Sequence, residues 1–185
     1  MPKLLVLFHA RSPDVTALAE AVVDGVRSVR FAEVDLRRLV DPEADLPVSA
    51  TDEGGRAHRA LDRVEDIALY DGLILALPAG GDRGAVLTNV LATLGGSLVN
   101  KVGAAVTTAE GPGRSAVLWA ALTPMADRGM ILVPMPFTDT QESTAEAARR
   151  LGKRTAEVVG WVTHARSHHH HEHHQPDEHH SHHPH

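Results

Sequence analysis

The chain has 185 residues and a formal net charge of −6, with no cysteine. The negative charge argues against nucleic acid as a partner, and the lack of cysteine excludes disulfides, thiolate catalysis and cysteine-ligated metal sites. No apolar run approaches the roughly 20 residues that span a bilayer, and the N-terminus lacks a signal-peptide pattern. We therefore expect a cytoplasmic protein with one globular domain and no membrane partner.

The first part of the chain alternates strand and helix patterns. Residues 3–9 (KLLVLFH) form a continuous apolar run, which is typical of a strand buried on both faces. Apolar residues then recur at helical spacing from Val15 to Val26. Residues 31–36 predict a second strand, and their more alternating pattern favours the edge of a sheet. Residues 40–56 are acidic and contain glycine and proline, which predicts a surface loop.

The alternation continues to residue 165. The remaining predicted strands lie at 72–78, 101–108 and 130–136, and the remaining predicted helices lie at 56–71, 85–94, 115–129 and 142–165. Strict alternation with short connections predicts a parallel sheet with helices on both faces. Five such units with right-handed crossovers match the flavodoxin-like strand order 2-1-3-4-5. The fold class is therefore α/β, a three-layer sandwich around a five-stranded parallel sheet.

In such sheets, ligands bind outside the carboxyl ends of the strands, beside the point where the strand order reverses. Three predicted loops lie there, at residues 9–16, 78–84 and 107–115. Each loop contains an acid and an arginine: Arg11 with Asp14, Asp82 with Arg83, and Glu110 with Arg114. Together with His9, these acids are compatible with a metal or acid–base site. Three solvated ion pairs are the simpler interpretation.

Four segments carry a resemblance to a known family: KLLVLF, YDGLILALP, LGGSLVNKVGAAVTTAEGPG and MADRGMILVPMPF. They resemble the flavodoxin-like, WrbA-type NAD(P)H:quinone oxidoreductases, a group similar to NADPH-dependent FMN reductases, over residues 3–161. The resemblance implies a flavodoxin fold, FMN as cofactor, NAD(P)H as electron donor and two-electron reduction of a small-molecule quinone. It also implies a homo-oligomer, either a dimer or a tetramer.

The resemblance places cofactor contacts on the three loops. The residues at the matching positions are Arg11, Ser12, Asp14, Pro78, Ala79, Gly80, Gly81, Thr107, Thr108, Gly111 and Gly113. The third loop (TTAEGPG) keeps the most of the family's Ser-Thr-Gly-Thr-Gly-Gly-Gly pattern. The first loop has Ala10 and Pro13 where the family has a hydroxyl and a glycine, and the second keeps little beyond its proline. No catalytic acid or base is assigned.

The first loop, HARSPDVT, supports two interpretations. A phosphate is held by backbone N–H groups, hydroxyls and a helix N-terminus, but Pro13 lacks an N–H and Asp14 adds a negative charge beside the phosphate position. Alternatively, the loop is only a helix start, with Ser12 as the N-cap, Pro13 in the first helical position and Asp14 in the first turn.

Residues 167–185 predict a disordered tail after a domain that spans residues 1–166. The tail contains almost no apolar residue and is rich in imidazole, which binds Ni²⁺, Zn²⁺, Cu²⁺ and Co²⁺. Its candidate ligands are His168, His169, His170, His171, His173, His174, His179, His180, His182, His183 and His185. A purification tag is the competing interpretation, although Glu, Ser and QPDE interruptions favour a native segment.

Two classes of function follow from these observations. The first is an FMN-dependent quinone oxidoreductase. The alternative is a flavin-free scaffold or interaction protein whose tail binds or delivers metal ions. A hydrolase or transferase has no nucleophile elbow to support it. The apolar residues 89–94 and 116–122 are candidates for a subunit interface, although burial in the core explains them equally well.

Overall fold

The computed structural model describes residues 1–9, 13–39, 58–79, 89–91, 98–135 and 142–169, with side chains as far as residue 167. Five parallel strands form one sheet in the order β2-β1-β3-β4-β5. The strands are β1 (Lys3–His9), β2 (Glu33–Leu39), β3 (Gly72–Leu77), β4 (Val102–Thr107) and β5 (Ile131–Val133). The predicted order and the edge position of the second strand are confirmed.

Helices cover both faces of the sheet, as predicted. The long helices are α1 (Pro13–Arg27), α2 (Gly113–Asp127) and α3 (Thr144–His169). One core lies between the sheet and helices α1 and α3, and it takes Leu4, Val6 and Phe8 from β1. The other core takes Leu5 and Leu7 and packs against α2. Because β1 is buried on both faces, its sequence is a continuous apolar run.

The predicted helix at residues 56–71 is wrong. Only a short 3₁₀ helix forms there (Val64–Leu69), and Ala60 instead makes an isolated parallel bridge to the edge strand β2. The apolar residues of this segment recur every three positions and face the second core: Leu61, Val64, Ile67 and Tyr70. A three-residue repeat fits the three residues per turn of a 3₁₀ helix, which places successive side chains on one line.

Several predicted boundaries shift by a few residues. Strand β2 runs to Leu39 and β5 ends at Val133, because Pro134 follows it. Helix α3 continues to His169, beyond the predicted end. Of the predicted third helix, only residues 89–91 are described, and they are helical; the predicted surface loop at 40–56 lies outside the described residues. None of the helices within the described ranges is long and apolar enough to cross a membrane.

A capping box fixes the start of α3. The Ser143 N–H donates to Glu146 Oε2 at 3.1 Å, and the Glu146 N–H donates back to Ser143 Oγ at 3.3 Å. The hydrogen bond from the Ser143 hydroxyl lowers the pKa of the Glu146 carboxyl. These reciprocal bonds satisfy two N–H groups that would otherwise lack intrahelical partners.

Helices α1 and α3 cross with their backbones in contact. A Cβ atom at Gly25 would overlap the carbonyl oxygen of Arg149, and a Cβ atom at Gly152 would overlap the carbonyl oxygen of Val22. Each helix therefore presents a glycine to the backbone of the other. This close approach seats both helices on the same face of the sheet.

Candidate functional site

Three neighbouring strands end at the same edge of the sheet. Strand β1 ends at His9, β3 at Leu77 and β4 at Thr107, and β1 and β3 flank the point where the strand order reverses. His9 is buried, with 5% of its surface exposed. The three predicted loops therefore begin side by side, at the place where doubly wound sheets bind ligands.

Thr108 ties the second loop to the third. Its backbone N–H donates to the carbonyl oxygen of Leu77 at 3.1 Å, and its hydroxyl oxygen accepts a hydrogen bond from the Ala79 N–H at 2.8 Å. The sheet ladder is thus extended by one residue beyond β3 and β4. Because Ala79 itself is exposed, this link holds two loops together at the surface of the predicted site.

Thr107 acts inside the protein rather than at the surface. Its side chain is fully buried, and its hydroxyl oxygen accepts a hydrogen bond from the Ala109 N–H at 3.1 Å. The hydroxyl also lies 3.5 Å from the carbonyl oxygen of Pro78, at the long limit for donation. The contribution of this side chain is to set the shape of the third loop.

The two glycines of the third loop face open space. Gly111 has a φ of 60°, a left-handed conformation that favours glycine. A Cβ atom added at Gly111 or Gly113 would meet nothing within 4 Å. Helix α2 begins at Gly113, so its first N–H groups lie at this loop and carry the positive end of the helix dipole.

Arg114 adds a positive charge beside these glycines. Its N–H donates to the Gly111 carbonyl oxygen at 3.2 Å. Its guanidinium donates to the sulfur of Met135 at 3.0 Å, just beyond β5. Met135 is buried in the core, so this contact directs the half-buried arginine towards the base of the third loop. The predicted partner acid, Glu110, is exposed.

The first loop leads into α1 as its sequence predicts. The helix begins at Pro13, and Asp14 is an exposed residue of its first turn. A carboxylate in a first turn is stabilised by the helix dipole. Arg11 and Ser12, and therefore the predicted N-cap, lie outside the described residues.

Some predicted site residues cannot be placed. Gly80, Gly81, Asp82 and Arg83 lie outside the described residues. Among the residues that the structure does describe, no three His, Asp or Glu side chains are arranged to hold a metal ion. His168 and His169 belong to the last turn of α3, and the tail from residue 170 onwards lies outside the described part of the chain.

The structure also places a histidine that the sequence did not single out. His58 packs edge-on against Phe8, with the ring centroids 5.4 Å apart, and its Nε2 lies 3.3 Å from Glu20 Oε1 of helix α1. It is held there because the neighbouring residues bridge to β2, where Arg38 Nε donates to the His58 carbonyl oxygen at 3.1 Å. No sequence pattern indicates this bridge, since the segment resembles a helix.

A cleft of about 350 Å³ lies at the opposite, amino edge of the sheet. Its charged groups pair with each other or with neighbours: Lys3 with Glu33 at 3.7 Å, and Asp35 with Arg37 at 3.5 Å. Tyr70 donates to Asp35 at 2.7 Å, and burial, followed by the bond to this carboxylate, raises the pKa of the tyrosine. We assign this cleft to the packing of the edge strand.

No family model matches the chain. Individual relatives do. An NAD(P)H dehydrogenase (quinone) from Acidithiobacillus ferrooxidans is 31% identical over 151 residues, which is 76% of this chain and 74% of the relative. A protein of the same name from Aromatoleum aromaticum is 32% identical over 153 residues, covering 76% of this chain and 73% of the relative.

Solved structures share the fold. A flavodoxin from Streptococcus pneumonia TIGR4 superposes with a TM-score of 0.59 at 14% identity, covering 84% of this chain and 98% of that one. A WrbA-like flavodoxin from Agrobacterium tumefaciens gives 0.53 at 17% identity, covering 88% and 99%. The sheet order, the position of the loops and the two relatives agree, and the chain belongs to the NAD(P)H dehydrogenase (quinone) family on a flavodoxin-like fold.

Proposed function

We propose that the protein is an FMN-dependent NAD(P)H:quinone oxidoreductase. Its two relatives carry the name NAD(P)H dehydrogenase (quinone), and its structural neighbours are flavodoxins. The observation that carries the proposal is the third loop, where Gly111 and Gly113 leave open space at the carboxyl edge of the sheet. Thr108 and Ala79 close one side of this space through their hydrogen bond.

The donors around this loop fit the polar edge of a flavin. Backbone N–H groups can approach a flat ring closely where no Cβ intervenes, which is the case at both glycines. The first turn of α2 supplies further N–H donors and the positive end of a dipole. We infer that Pro78, Ala79, Thr108, Gly111 and Gly113 contact the ring and that Thr107 supports them from within.

When bound, FMN supplies the hydride and electron chemistry between a nicotinamide and a quinone. The chain's own contribution is binding, orientation and electrostatics. Arg114 and the α2 dipole hold positive charge beside the third loop, which favours negative charge on a group bound there. The Thr108 bond fixes the distance between the second and third loops. Proton transfer is not assigned to any side chain.

Turnover tests the proposal directly. Protein supplied with FMN should oxidise NADH or NADPH when a benzoquinone is added, at a rate proportional to protein concentration and above that of free FMN. The acceptor-free reaction serves as the control, because it separates quinone reduction from reaction with oxygen. A rate equal to that of free FMN with both nicotinamides would contradict the proposal.

The first loop makes a distinct prediction about the phosphate. Asp14→Asn is expected to tighten FMN binding by about three- to tenfold at low salt, because it removes a negative charge beside the phosphate position. The gain should shrink as salt is added. Equilibrium titration by flavin fluorescence measures both effects.

Asp24→Asn is the matched control for this change. Asp24 lies in the same helix, is exposed and pairs loosely with Arg149 at 4.0 Å. It removes the same charge about 15 Å away along α1. Equal tightening by both variants would show only a net-charge effect, whereas no change with Asp14→Asn would mean that the phosphate does not lie at this helix start.

The alternative function is a flavin-free scaffold. The observation that favours it is the position of Asp14, whose charge already occupies the positive end of the α1 dipole. On that interpretation the first loop is a self-sufficient helix start. The same titration decides between the two functions, because a scaffold binds no FMN with either aspartate or asparagine at this position.

We propose that the protein forms a homo-oligomer through helix α2. Trp119 is 62% exposed on this helix, beside exposed Ala116 and Ala120. A helix that is apolar on its outer as well as its inner face is typical of a second packing surface. Trp119→Glu should lower the mass measured by light scattering to that of one chain, whereas Trp161→Glu on α3 should not. A monomeric parent protein would refute this interface.

A further inference from the structure

The last turns of α3 bring one tryptophan and two histidines to the same side of the helix. The backbone is helical through His169. His164 and His168 are four residues apart, and Trp161 lies one turn before His164, so the three positions share a face. Trp161 is 67% exposed, and His164 is also exposed. This face is therefore turned to solvent.

Two imidazoles at positions i and i+4 of a helix can bind the same divalent cation. We propose that His164 and His168 form a two-histidine metal site at the C-terminal end of α3, selective for borderline cations such as Ni²⁺, Cu²⁺ and Zn²⁺. The tail that follows would complete the coordination with further imidazoles. The site is separate from the carboxyl edge of the sheet and does not depend on flavin binding.

The charges at this end of the helix favour a cation. The carbonyl groups of a helix C-terminus carry the negative end of its dipole. The nearest basic residue in the sequence, Arg166, is two positions from each histidine and therefore about half a turn away around the helix. Its charge acts on the other side: the pKa of Lys101 is lowered mainly by burial and further by Arg166.

The helical pair gives the tail a preferred point of metal binding. The spacing of two imidazoles on a helix is set before the metal arrives, so little conformational freedom is lost on binding. Histidines in a flexible segment must be ordered by each binding event. The first equivalent of metal should therefore bind at the helix, and it should also protect the last turn of α3 from fraying.

Trp161 provides a local reporter for the test. The full-length chain is prepared with Trp119→Phe, so that Trp161 is the remaining tryptophan, and with every histidine after His169 changed to glutamine. Bound Cu²⁺ quenches tryptophan emission at short range. We expect saturable quenching by one equivalent of Cu²⁺, and displacement by Zn²⁺ should restore the emission.

Variants of the same chain identify the ligands. His164→Ala and His168→Ala should each weaken Cu²⁺ binding at least about tenfold, because each leaves one imidazole without its chelating partner. Ser167→Ala, in the same turn, should leave the affinity unchanged. Unchanged Cu²⁺ affinity in His164→Ala would overturn the proposal, as would an absence of quenching when the two helical histidines are the only ones present at this end of the chain.

The native tail supplies a second readout. With all tail histidines restored, hydrogen exchange of the last turn of α3 should slow on addition of one equivalent of Zn²⁺, and His164→Ala should abolish that slowing. If His164→Ala retains the full protection, the metal is held by the tail alone and the helical site is wrong.

Discussion

Gly152→Ala is expected to lower the free energy of unfolding by about 3 kcal/mol, although alanine is the better helix former. The new methyl group would overlap the Val22 carbonyl oxygen of α1. A backbone oxygen cannot rotate away as a side chain can, so the two helices must move apart and loosen the core they share. Gly25→Ala should behave in the same way, because its methyl group would overlap the Arg149 carbonyl oxygen.

Gly160→Ala is the matched control in the same helix. Nothing lies within 4 Å of a Cβ atom at Gly160, so this change should raise the free energy of unfolding by about 0.5–1 kcal/mol through helix propensity alone. Urea unfolding followed by circular dichroism measures all three variants. If Gly152→Ala were as stable as Gly160→Ala, the close crossing of α1 and α3 would be refuted.

Thr108→Val is expected to weaken FMN binding about tenfold, which corresponds to about 1.4 kcal/mol. Valine matches threonine in shape but removes the oxygen that accepts the Ala79 N–H bond at 2.8 Å. The second loop then loses its fixed position next to the third, and an N–H group is left without this acceptor. Thr108→Ser keeps the hydroxyl and should bind FMN within about twofold of the parent.

A fluorescence titration with FMN measures the three dissociation constants, and thermal unfolding checks that each variant is folded. The contrast between valine and serine is the informative quantity, because both lose part of the threonine side chain but only valine loses the oxygen. Equal weakening by both variants would mean that the methyl group, and not the link between the loops, matters for the cofactor.

Regular elements were predictable where one periodicity dominated. Strand β1 was predicted at its observed bounds because a strand with both faces buried is apolar throughout. Helix α1 was predictable from its apolar stripe and from Pro13 at its first position. The segment at 56–71 failed because its apolar residues repeat every three positions, which helix and 3₁₀ patterns share over a short stretch.

The site was less predictable than the fold. The third loop stood out because its glycines are visible in the sequence, and the positive φ of Gly111 gives one of them a conformational reason. The internal role of Thr107 could not be foreseen, since burial at the end of a strand depends on the neighbouring strands. The position of His58 against Phe8 depends on a bridge between segments that are distant in the sequence.

The central claim is that the carboxyl edge of this sheet is an FMN site. The most direct test is to add FMN to the purified full-length protein, remove unbound flavin by gel filtration and record the absorbance between 350 and 500 nm. The account predicts one FMN retained per chain, with a flavin spectrum shifted from that of the free cofactor. Protein that emerges colourless after incubation with excess FMN would contradict it.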